Sequence, residues 1–151
     1  MLIAIGADHG GYHLKNVLVK YLYTLGHTVN DVGTYSEESG DYPDYARSVA
    51  RSVLDKKAER GILICGSEVA ASVAANKFPG IRAAICHDTF SANQGVEDDN
   101  MNVLCLGARV VGPELAKDIV RTFLAATFSG AERYVRRVGK IAAIEKEFMK
   151  K

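Results

Sequence analysis

Three short segments carry side chains whose types and spacing could do chemistry. Cys65-Gly66-Ser67-Glu68 follows an apolar run and precedes a helical pattern. A thiol just ahead of a helix N-terminus tends to lose its proton more easily, and the thiolate is then a useful base or nucleophile. The backbone N–H groups after it could hold an oxyanion. The plainer reading makes Cys65 a small buried hydrophobe, which suits Cys86 and Cys105 well. Asp8-His9-Gly10-Gly11 also lies between an apolar run and a helix. It is not a dinucleotide fingerprint, because a carboxylate occupies the place where a pyrophosphate needs open backbone. His9 beside a helix N-terminus could hold a phosphate, while Asp8 either holds sugar hydroxyls or serves only as an N-cap. Arg133 and Arg137 stand four apart, with Arg136 beside them. Two guanidinium groups on one helical face form a fork suited to phosphate, and Arg109 could join them; a solvated basic face is the ordinary alternative. Glu97-Asp98-Asp99 resembles a metal-binding carboxylate cluster, but consecutive helical residues do not face one another, so a solvated helix end is the stronger reading.

Positioning these residues requires alternating strands and helices. Short apolar runs at residues 2–6, 27–32, 61–65, 81–86 and 103–106 read as five strands. Between them, Leu14, Val17, Leu18, Tyr21, Leu22 and Leu25 recur at helical spacing, as do apolar positions in 45–54 and 69–78. A polar helix is expected over 89–97, a helix opened by Pro113 over 114–128, and a last one from about 131 to the end. Residues 34–44, polar and containing Pro43, read as a loop. Five βα units with nearly uniform apolar strands predict an α/β fold. The expectation is a three-layer Rossmann-like sandwich with a five-stranded parallel sheet in the order 2-1-3-4-5, plus a C-terminal helix. Ligands in such sheets bind at the carboxyl ends of the strands, where Asp8, Cys65, His87 and Arg109 all fall.

Composition narrows the function class. The chain has 151 residues, 48% hydrophobic and 25% charged, with 19 basic and 18 acidic side chains. That is enough to bury a core, and one domain over 1–151 is expected. The near-balance of charge gives no general pull toward nucleic acid, and no apolar run approaches the ~20 residues of a membrane helix. The first residues lack a basic region and a cleavage site, so a cytoplasmic protein with reduced thiols is expected. Cys65, Cys86 and Cys105 match no zinc spacing.

Longer motifs then occur in order: Gly6-Ala7-Asp8-His9-Gly10-Gly11, Asp31-Val32-Gly33-Thr34, Asp41-Tyr42-Pro43-Asp44-Tyr45-Ala46, Ile64-Cys65-Gly66-Ser67, Ala74-Ala75-Asn76-Lys77, Gly80-Ile81-Arg82-Ala83 and Asn102-Val103-Leu104-Cys105-Leu106-Gly107-Ala108-Arg109. Over essentially the whole chain the sequence resembles the ribose 5-phosphate isomerase B family, within the group that includes the galactose 6-phosphate isomerase subunits. The resemblance implies an aldose–ketose isomerase of the pentose phosphate pathway, working through an enediolate without metal or other cofactor. It implies Cys65 as the base between C1 and C2 of the open-chain sugar, Ser67 as a group that helps activate it, and the amides beginning at Gly66 as enediolate donors. Asp8, His9 and Tyr42 would line the sugar site, and Arg109, Arg133 and Arg137 would bind phosphate. It further implies a homodimer or tetramer whose active sites are shared between subunits.

The chain departs from the family pattern at several of these places. Glu68 and Ala70 stand where glycines are usual, so they must take up a left-handed backbone or reshape the loop. A Glu68 carboxylate near the thiol would raise its pKa and weaken the oxyanion site, unless Glu68 points away or is itself the base. Asp98 falls on the family's ring-opening histidine, with Asp99 after it, while Tyr134 also replaces a histidine; His87 is a geometric substitute. A hexose or tetrose phosphate substrate and a non-catalytic sugar-phosphate-binding protein are therefore the alternatives to ribose 5-phosphate isomerisation.

Overall fold

The computed structural model of the protein describes residues 1–149. Its strands are β1 (Leu2–Ala7), β2 (Thr28–Asp31), β3 (Arg60–Cys65), β4 (Ala83–Ile85) and β5 (Val103–Gly107). Its helices are α1 (Tyr12–Thr24), α2 (Tyr42–Leu54), α3 (Val69–Ala75), α4 (Thr89–Asp99), α5 (Pro113–Ala125) and α6 (Glu132–Phe148), with a 3₁₀ turn at His9–Gly11 ahead of α1. All five strands pair in parallel. Alternate strand residues serve two cores. Ile3, Ile5, Ile62, Ile64, Leu104 and Leu106 face Leu14, Leu18 and Leu22 of α1 and Ile119 and Phe123 of α5. Leu63, Val103 and Cys105 face Ala46, Val49 and Ala50 of α2 and Ala71 and Ala75 of α3. This is the predicted sandwich, its near-continuous strand apolarity explained by helices on both faces.

Two expectations are corrected. The strand order is β2-β1-β3-β5-β4, so β5 and not β4 lies next to β3. All five residues of β5 are buried, whereas Ala84 of the three-residue β4 is exposed. The longer and more apolar strand therefore takes the place covered on both sides, and the short one closes the edge. Asn76 covers that edge: its Nδ2 donates to the Ala83 carbonyl and its Oδ1 accepts from the Ala83 N–H. The second correction concerns Pro43, which sits in the first turn of α2 rather than in a loop. Proline is tolerated there because its missing N–H would have no partner inside the helix.

Candidate functional site

Strand register brings the candidate residues together. Ala7 stands opposite Ile64, and Cys65 opposite Gly107, so the chain leaves β1, β3 and β5 at one level. The Ala108 N–H donates to the Cys65 carbonyl at 2.8 Å and the Arg109 N–H to the Gly66 carbonyl at 3.0 Å, which carries the strand pairing into the loops. The 3₁₀ turn packs directly on the end of β3. A methyl group added at Gly11 would lie 2.6 Å from the Ile64 carbonyl oxygen, and one at Gly10 would lie 3.2 Å from the Gly66 nitrogen. The paired glycines are thus what allows Asp8 to reach Cys65.

Asp8 is 6% exposed and does two things at once. Its Oδ1 accepts from the Gly11 N–H at 3.2 Å, the capping role expected of it. Its Oδ2 accepts from the Cys65 thiol at 2.9 Å. Burial, and after it the hydrogen bond and charge of Asp8, push the Cys65 thiol up to about 12. The expectation that this thiol would ionise more easily than usual is therefore overturned. The thiol points at a carboxylate, and the Gly66 backbone, which favours the thiolate, is outweighed by burial and Asp8. Ser67, expected to help activate the thiol, is exposed on the same turn, and the group bonded to Cys65 is Asp8.

Glu68 takes up the left-handed backbone, with φ at 70°, as the cap residue of α3. Ala70 lies within the helix and needs no such conformation. The Glu68 side chain is wholly buried, and its carboxyl oxygens make no well-formed hydrogen bond, although the Cys105 thiol and the Cys65 backbone lie against them. Burial raises its pKa to about 9. The Arg109 guanidinium lies over Gly66, since a methyl added there would meet it at 3.5 Å. His9 is exposed at the rim and its Nδ1 accepts from the Gly40 N–H. That contact draws in residues 32–41, the segment leading to Tyr42, which is 37% exposed at the start of α2.

Sequence reasoning missed Lys15. It is 1% exposed, its Nζ donates to Asp31 Oδ2 at 2.6 Å, and it lies over the Tyr35 ring. Asp31 Oδ1 in turn accepts from the Gly33 N–H, and the Tyr35 hydroxyl donates to the Asp31 carbonyl. The ion pair thus anchors the segment that leads to His9. A lysine inside the Leu14, Leu18, Leu22 stripe was the available signal.

The remaining predicted residues form a second group. The Arg133 guanidinium donates to the Tyr134 hydroxyl at 2.6 Å, Arg137 lies 5.8 Å over the same ring, and Asp98 acts electrostatically on Arg133. The three carboxylates of α4 diverge as expected: Glu97 accepts from Asn93, Asp98 accepts from Gln94, and Asp99 lines an apolar groove of about 400 Å³ between β4 and α6. This groove is lined by Ala84, Met101, Ile141, Ile144 and Phe148 and lies away from Cys65. His87 is exposed beyond β4. With β5 intervening, it is two strand spacings from Cys65, about 10 Å in the sheet, rather than one. No described helix is long and apolar enough to cross a membrane.

The sequence profile of the ribose/galactose isomerase family matches residues 3–141. The chain belongs to that family. Membership makes it a sugar isomerase, an intramolecular oxidoreductase. Among relatives, this ribose/galactose isomerase family member is 48% identical to ribose-5-phosphate isomerase B of Escherichia coli over 143 residues, 95% of either chain. It is 47% identical to D-erythrulose-4-phosphate isomerase of Pectobacterium atrosepticum over 129 residues, 85% of either chain. The solved ribose-5-phosphate isomerase B of Clostridium thermocellum superposes with a TM-score of 0.96 at 49% identity, covering 98% of this chain and 99% of that one. The shared fold places Cys65 at a strand end in a family of sugar-phosphate isomerases.

Proposed function

We propose that the protein interconverts ribose 5-phosphate and ribulose 5-phosphate through an enediolate, with Cys65 as the base. The observation that carries this reading is the Cys65–Asp8 pair, a thiol donating at 2.9 Å to a buried carboxylate at the carboxyl end of the sheet. The resting thiol is neutral, so it acts once its proton has passed to Asp8. The thiolate then takes the proton from C2 of the open-chain aldose, the electron pair of that C–H bond forms the C1–C2 double bond, and the carbonyl oxygen at C1 becomes anionic. Return of the proton from Cys65 to C1, with transfer of the C2 hydroxyl proton to the anionic O1, gives the ketose, and Asp8 then hands its proton back to Cys65. Amides of the turn after Cys65 and the Arg109 guanidinium oppose the anionic charge. Glu68, sealed from solvent, is the weaker candidate for the base. The similarity to an erythrulose-phosphate isomerase makes a tetrose phosphate the second substrate to try.

The same reading makes the working unit a homodimer. Helix α6 buries none of its residues within the chain, yet carries Val135, Ile141, Ile144 and Phe148 exposed. A second copy covering them would bring Arg133 and Arg137 to the partner's Cys65 pocket, completing a phosphate site that neither copy holds alone. The test of the chemistry is proton NMR in D₂O with ribose 5-phosphate. Deuterium is expected at C2 of ribose and C1 of ribulose with the wild type and not with Cys65→Ala. Undiminished exchange in the variant would refute Cys65 as the base. For the assembly, Ile144→Lys should sediment as a monomer, and a wild type that is itself monomeric would refute the shared site.

A further inference from the structure

Glu68 is a buried acid that the chemistry above does not use. Its side chain is 0% exposed, its carboxyl oxygens make no well-formed hydrogen bond although the Cys105 thiol and the Cys65 backbone lie against them, and its backbone is held at φ 70° with no capping bond to α3. The groups that bear on it are the Cys105 thiol from β5 and the Cys65 backbone of β3, which favour its ionised form, and the charge of Asp8 after β1, which opposes it; none of them is a cation and burial outweighs them all. A carboxylate sealed in such a place has neither water nor counter-charge, so the fold tolerates the side chain only as the neutral acid. Glu68 is also one residue from Ser67, two from Gly66 and three from Cys65, on the turn that carries the reactive thiol and the amides.

We propose that Glu68 is a positioning residue for this isomerase site: its neutral carboxyl locks the Gly66–Glu68 turn into the sheet end, and loss of the proton expels the side chain and takes the turn out of register with Cys65 and Arg109. The expulsion is favoured because the ionised group regains its hydration and the backbone leaves a left-handed conformation that a glutamate adopts only under strain. The Gly66 carbonyl, which accepts from the Arg109 N–H, moves with the turn. The protein therefore carries an alkaline limit on activity that a glycine at this position would not impose. This rests on the isomerase reading, and one arm of its test does not.

The experiment compares the wild type with Glu68→Gln in two measurements across pH 5 to 10.5. The first is kcat/KM for ribose 5-phosphate. The wild type is expected to fall tenfold per pH unit above about pH 9, while the variant shows no fall there. The second is the thermal unfolding midpoint, which needs no substrate. A carboxyl at about 9 in the folded protein and 4.5 when unfolded favours the fold fully below 4.5 and loses that contribution as pH rises toward 9. The wild-type midpoint should therefore drop relative to the variant's between pH 5 and 9, and the gap should stop growing above that. A gap that does not change with pH overturns the proposal. A growing gap with the same alkaline fall of kcat/KM in both proteins overturns the positioning role. If no sugar phosphate is turned over, the isomerase reading fails and the midpoints alone decide whether Glu68 is a buried neutral acid. Should Glu68→Gln not fold, Glu68→Gly, which suits a positive φ, takes its place with the same expected curves.

Discussion

Replacing Asp8 by asparagine should make Cys65 more acidic and the enzyme slower at the same time. With its pKa at about 12, the thiol is ionised in about one molecule in 10⁴ at pH 8, against about one in ten for the ordinary value of 9.0. Burial is the largest cause of that difference and persists in the variant; the hydrogen bond to Asp8 and its charge come next. Burial takes the largest share of the rise, which leaves ~1–2 pH units for Asp8, so removing its charge should speed alkylation of Cys65 at pH 8 by about 10- to 100-fold. Asparagine can still accept from the Gly11 N–H, so the turn itself has no reason to move. Iodoacetamide uptake by the native protein reports Cys65 selectively, because Cys86 is 2% and Cys105 0% exposed. Mass spectrometry locates the adduct. Turnover of ribose 5-phosphate should nevertheless fall by about 100-fold or more, since an amide cannot take up the thiol's proton. An alkylation rate that stays the same or drops would show that Asp8 does not hold the thiol neutral. Faster alkylation with undiminished turnover would show that the proton goes elsewhere.

Three further outcomes follow from the geometry. Gly11→Ala forces a methyl to 2.6 Å from the Ile64 carbonyl oxygen, and should cost about 2 kcal/mol in urea unfolding as well as the Cys65–Asp8 contact; wild-type stability would refute the close packing. Lys15→Met leaves Asp31 without its cation at a side chain only 29% exposed. A loss of about 3 kcal/mol is expected, and a loss below 1 kcal/mol by the same assay would show that the pair does not anchor the segment after β2. Arg137→Ala should weaken binding of a sugar phosphate by about 10- to 100-fold in calorimetry, the worth of a hydrogen bond to a charged group. Unchanged affinity would remove α6 from the phosphate site.

The sheet was legible because its strands are short apolar runs separated by helical periodicity; Ile3, Ile5, Ile62 and Ile64 name their own burial. The order of β4 and β5 was not, since both are apolar and each follows a helix. Only their depth of burial separates Ala83-Ala84-Ile85 from Val103-Leu104-Cys105. Pro43 misled because a proline that ends a helix and one that starts it look alike when the preceding residues are polar. At the site, Asp8, His9, Cys65 and Arg109 were readable from their place after strands. The acidity of Cys65 was not, because it depends on how closely two glycines let one strand's turn approach the next. Local sequence around the thiol points to a helix N-terminus, and tertiary packing supplies a carboxylate instead. Glu68 stood out as a departure from the family's glycines, and its left-handed backbone was among the expected outcomes. That its carboxyl would be sealed against the Cys105 thiol of β5 with no counter-charge followed only from the tertiary packing.

Asn76 has a bearing on how copies of this chain can meet. By closing both main-chain groups of Ala83, its amide acts as a one-residue stand-in for a sixth strand. The free margin of the sheet is thereby refused to any incoming strand at that point, and two sheets cannot fuse there into one continuous ribbon. Association along β4 is left to side chains, which are chosen by shape and sequence, whereas backbone pairing would accept almost any extended chain. A one-residue amide thus separates selective assembly from indiscriminate aggregation at the β4 edge of the sheet.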